Sequence, residues 1–163
     1  MNYKFQQSML WVYLLILSPA IVVSQDMDNE IFKEVLTGIS DSIGGHEGYW
    51  EIFVDNIPML CITDVSNNRM RIMTPVSKLE NLKKGQLKAC MEANFHSALD
   101  VKYAISEEFI WVVFIHPLRE LRRSQLEDGI QQVWNAVSSF GTTYNSTDLI
   151  FPGKVKEGPT KKM

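Results

Sequence analysis

The sequence predicts an α+β fold: an antiparallel five-stranded sheet packed with three helices in the order α-β-β-β-α-β-β-α. Three observations predict it. Apolar residues first recur at the spacing of a helix and then alternate at a period of two through three short runs. The same change of period, helical and then strand-like over two runs, happens once more before a last helical stretch. The turns between consecutive strand-like runs are short, which makes the pairing antiparallel.

The chain has 163 residues, and its beginning differs in composition from the rest. Lys4 is the only charged residue before Asp26, and Met9 to Leu17 form an apolar core that Pro19 breaks. Residues 1–24 are expected to be a cleaved export signal, with Val22 and Ser24 suited to the positions before a cut at Gln25. Ser18 and Ala20 would serve an earlier cut. The rival reading, an uncleaved anchor, needs roughly 20 unbroken apolar residues. Residues 25–152 are then a single α+β domain, and 153–163 a basic disordered tail holding Lys154, Lys156, Lys161 and Lys162. Without Lys4, fifteen basic residues stand against nineteen acidic ones. That acidic balance argues against nucleic acid as a partner. Membrane contact is expected only through the signal or through the tail.

Each element has its own signal. Asp28 can cap a helix in which Ile31, Val35, Leu36, Ile39 and Ile43 recur at helical spacing, with Gly44-Gly45 as the stop. From Tyr49 the period is two, Trp50, Ile52 and Val54 alternating with Glu51, Phe53 and Asp55. A turn at Asn56 to Pro58 leads to a second strand over Met59 to Val65, and a loop at Ser66-Asn67-Asn68 to a third over Arg69 to Pro75. The second helix is expected from about Leu79 or Lys84 to Phe95, with Leu87, Cys90, Met91, Asn94 and Phe95 inward. Strands follow over Asp100 to Ser106 and Phe109 to His116. The latter is apolar on both faces, as in a strand covered on both sides or placed at a subunit contact. The last helix runs from Leu118 or Ser124 to Phe140, with Leu126, Ile130, Val133, Trp134 and Val137 as its stripe.

Chemistry-bearing residues form no pattern. His46, His96 and His116 lack partners at ligand spacing, and neither cysteine has a histidine near it in sequence. Gly44-Gly45 with Gly48 follows a helix and precedes a strand, the reverse of a phosphate loop. The sequence calls for no cofactor, metal or catalytic residue. Export would allow a disulfide between Cys61 and Cys90, whereas their apolar surroundings suit free buried thiols, and both possibilities stay open. Aromatic and methionine residues exceed what a small two-layer core holds, so one sheet face needs a cover. A partner, a second subunit, or Tyr144, Leu149, Ile150 and Phe151 could supply it.

The element order across Asp28 to Gly141, the stretch Glu92-Ala-Asn-Phe followed by Asp100-Val-Lys-Tyr-Ala-Ile, and the aromatic strand into His116-Pro-Leu-Arg-Glu-Leu carry a resemblance. On them the chain resembles the Tir chaperone family, the class of type III secretion chaperones, and the related YbjN-like proteins. The resemblance implies a small, acidic, dimeric α+β protein that binds extended peptides on apolar sheet and helix surfaces without catalysing a reaction. It also implies a dimer contact on the second helix, which here means Leu87, Met91 and Phe95. Such chaperones act in the cytoplasm, and the export signal departs from that pattern. The expected function is therefore that of an exported, periplasmic or extracellular, non-enzymatic protein-binding module and homodimer, with Leu87, Met91, Phe95, Trp111 and Phe114 at partner or dimer contacts. The alternative is a carrier of a small apolar ligand held in a pocket between helix and sheet.

Overall fold

The computed structural model describes residues 26–149. The expected signal, the basic tail, and Ile150 and Phe151 lie outside the described residues. The class is the α+β fold expected, with three helices on one antiparallel sheet, but the sheet has six strands instead of five.

Helix α1 (Asn29–Ile39) begins where expected, because the Asp28 carboxylate accepts the Ile31 N–H at 2.8 Å and satisfies a donor that the first turn leaves orphaned. It buries Ile31, Phe32, Val35 and Leu36 and ends before the glycines, the Ser40 N–H donating to the Leu36 carbonyl. The unexpected sixth strand, β1 (Ser42–His46), holds Gly44-Gly45. Gly45 has φ +101°, and a Cβ there would lie 2.3 Å from the Tyr49 carbonyl oxygen, so the glycine allows a tight reversal into the next strand and does not stop the helix. Ile43 pairs with Ile52 across this hairpin and so leaves the helical stripe.

Strands β2 (Tyr49–Val54), β3 (Ile57–Asp64) and β4 (Arg69–Lys78) continue the meander. Asp55 and Asn56, both at positive φ, make the two-residue turn between β2 and β3. Leu79–Asn81 form a single 3-10 turn, and helix α2 (Gln86–His96) starts only after Gly85, later than the earliest expected start. Strand β5 (Lys102–Ser106) begins two residues later than expected, β6 (Phe109–His116) has the expected bounds, and helix α3 (Arg123–Ser138) starts one residue before the later of its two expected starts and ends two residues before Phe140.

The sheet order is β1-β2-β3-β4-β6-β5, every pair antiparallel. Trp50, Ile52, Met59, Cys61, Met70, Ile72, Ile110, Val112 and Phe114 fill its inner face against the helices. Phe32 meets Trp50 at 5.5 Å between ring centres, and Gly129 of α3 lies over Phe114. Cys61 and Cys90 are free and buried, and burial pushes the Cys61 thiol up to about 12.

Among the described residues, the stretch from Tyr144 to Ser146 after α3 packs on the helical side. The Ser146 hydroxyl donates to the Ala98 carbonyl at 2.8 Å, Asn135 donates to the Ser146 carbonyl at 2.8 Å, and Tyr144 packs on Tyr103 and Phe140.

Candidate binding surface

Strand β6 was expected to be covered on both sides or placed at a subunit contact, and within the single chain the described residues cover it on one side. Ile110, Val112 and Phe114 are buried under the helices, whereas Phe109, Trp111 and Val113 are half-buried and Ile115 is 54% exposed. Phe114, expected at a partner contact, has the wrong parity for one. Its side chain is 4% exposed and belongs to the core beneath α3.

Register builds the outer face row by row. Leu60 lies opposite Met73, and Met73 opposite Val113. Arg71 lies between Ile62 and Ile115, and Trp111 between Pro75 and Ala104. Since neighbouring strands are about 4.8 Å apart, these rows form one apolar strip. Its deepest part is an open groove of about 560 Å³ floored by Met73, Ala104, Trp111 and Val113 and rimmed by Arg71 and Lys102. The Trp111 indole N–H donates to the Ser106 carbonyl at 3.3 Å, and Phe109 meets that indole edge to face, so the floor is fixed.

A second apolar surface lies on α2. Leu87, Met91 and Phe95, expected to point inward, are 40%, 48% and 79% exposed. The inward positions are Cys90 and Ala93, small enough to bring the helix close to the sheet. Asn94 is turned to the sheet as expected, but as a polar clamp. Its amide donates to the Tyr103 carbonyl at 3.0 Å while its oxygen accepts the Tyr103 N–H at 2.7 Å.

The three histidines lie apart. The His46 ring stacks on Tyr49, His96 meets the edge of Phe95, and His116 stacks on Phe114. Among the described residues no three His, Cys, Asp or Glu side chains are grouped to hold a metal ion. The cleft between α1 and β1, about 580 Å³, is lined by polar side chains of Asn29, Glu30, Lys33, His46 and Glu47 together with Ile43 and Trp50.

Sequence reasoning missed the place of Arg71 within the groove and the clamp made by Asn94. The alternation of Arg69, Arg71 and Met73 already puts the arginines on one strand face. Which neighbours flank them depends on register, which a single sequence does not carry.

A sheet with helices on one side, an apolar strip on the other and a bulky stripe on its second helix defines a two-layer α+β domain with two open apolar surfaces. A chain in the structure of the HopA1-SchA chaperone-effector complex has this fold, with a TM-score of 0.52 at 10% sequence identity over 68% of this chain and 93% of that one. No family model matches the chain, and no curated protein matches it.

Proposed function

We propose that the chain is an exported, non-enzymatic, chaperone-like module that holds an extended polypeptide on the open face of its sheet and pairs with a second copy through α2. The observation that carries this reading is the one-sided cover of β6. Five of its eight residues lie at least partly open to solvent, among them Phe109, Trp111, Val113 and Ile115, so the strand keeps apolar area in water that a partner would remove. The likeness to a chain of a chaperone-effector complex supports the reading at the level of fold, beside the resemblance of the sequence to the Tir chaperone and YbjN-like proteins. Leu87, Met91 and Phe95 recur one turn apart on α2, which suits the isologous contact of a twofold dimer.

The test is binding of fluorescent extended apolar peptides to the unmodified protein and to Trp111→Glu. The expected result is binding that Trp111→Glu abolishes while circular dichroism shows the fold retained. Undiminished binding by Trp111→Glu would move the site elsewhere, and a small molecule retained in native mass spectrometry would favour the carrier. For export, N-terminal sequencing of protein recovered outside the cytoplasm is expected to begin near Gln25, and an intact Met1 would overturn that part.

A further inference from the structure

We propose that the segment held in the open-face groove carries a carboxylate among its apolar side chains and that Arg71 receives it. This rests on the polypeptide-binding reading above. Arg71 is exposed on the outer face of β4 with Ile62 on one side and Ile115 on the other. The ion pairs among the described residues join Lys78 to Glu80, Lys88 to Glu92 and Arg123 to Glu34, so Arg71 takes part in none of them. Its neighbour Arg69 is placed differently, opposite Asp64.

A second cation, Lys102, lies on the rim with Arg71. Lys102 lies opposite Val113, with its ammonium donating to the Leu99 carbonyl. Asp100, the one acidic residue in the lining, has its carboxylate engaged by the Gln132 amide at 3.1 Å. A chain with a formal net charge of −3 therefore presents two cations, Arg71 and Lys102, against one hydrogen-bonded carboxylate around this apolar open groove. A guanidinium on an apolar surface is matched by a planar carboxylate, which it can bind through two parallel N–H bonds. The groove is an open strip on a pleated face, where a peptide in extended conformation sets every second side chain down and leaves the others in water. The occupant is an apolar polypeptide segment with Asp or Glu at one of its inward positions, and charge selects it over neutral or basic segments.

The test uses the full chain and three extended peptides of alternating apolar and serine residues, identical except for a central Glu, Gln or Lys. The expected result is that the Glu peptide binds about tenfold more tightly than the Gln peptide, the worth of one charged hydrogen-bonded contact. Arg71→Gln should remove the discrimination, and Arg71→Glu should reverse it in favour of Lys. Circular dichroism checks that the variants fold. Equal affinity for the three peptides, abolished by Val113→Asp, would overturn this inference and leave the polypeptide-binding reading standing. Failure of all three to bind would overturn the reading itself. Displacement of the Glu peptide by decanoate with the same dependence on Arg71 would overturn a polypeptide as the occupant.

Discussion

Gly129 and Phe114 show how a single position fixes the distance between helix and sheet. A Cβ on Gly129 would lie 2.8 Å from the Phe114 ring, closer than carbon atoms approach without something moving. Alanine is the better helix former, yet overpacking of this kind typically costs about 1–3 kcal/mol, more than the propensity gain. Gly129→Ala is expected to lower stability in urea denaturation, and Phe114→Leu in the same chain to recover part of the loss. Asp64 works in the loop between β3 and β4. The Asn67 amide, the Ser66 hydroxyl and the Asn67 N–H hold its carboxylate down to about 2, against an ordinary 3.8. A depressed carboxylate stabilises the folded state above its ordinary value and ceases to do so as the pH falls through the folded one. Asp64→Ala should therefore melt earlier than the unmodified protein at neutral pH, and the gap should close near pH 2. The loop at Ser66 to Asn68 was legible from its residue types, because Asp, Ser and Asn bond their own backbone in turns. Phe114 was not legible as a core residue. In a run apolar throughout, the faces cannot be told apart until the strand is paired.

Helix α2 had two candidate stripes, one bulky through Leu87, Met91 and Phe95 and one small through Cys90 and Ala93. Hydrophobicity alone favours turning the bulky stripe inward. Close packing on β5 favours the small one, and the structure follows packing. The strand β1 escaped sequence reading for another reason. With four of its five residues exposed and two of them glycine, it has no alternation to detect. Strand β6 lay at the other extreme, bounded by Glu107-Glu108 on one side and Pro117 on the other, and its limits could be read directly. The outward stripe of α2 leads to a prediction at this scale. Met91→Asp and Phe95→Asp are expected to sediment as monomer where the unmodified protein sediments as dimer. Since both side chains are exposed in the single chain, each should change monomer stability by no more than about 0.5 kcal/mol. A monomeric unmodified protein at micromolar concentration would remove α2 from any dimer contact.

At the scale of the whole molecule, the fold class and the need to cover one sheet face could be read from composition and period, whereas the strand order could not. The connection that carries the chain through α2 returns it so that β6, not β5, pairs with β4, and this leaves β1 and β5 as the two edges. These edges are unequal. At β5 the Asn94 amide bonds both the N–H and the carbonyl of Tyr103, the pairing that a neighbouring strand would make. Among the described residues no comparable clamp bonds β1. Strand addition between copies would therefore find one edge available and one already taken. Two molecules meeting β1 to β1 form a closed pair, while a head-to-tail stack would need β5 as well. Asn94 thus occupies the two backbone groups of Tyr103 that strand addition at β5 would need. Asn94→Leu, which frees both backbone groups of Tyr103, is expected to turn a protein that stays clear in solution into one whose light scattering and thioflavin fluorescence rise with time.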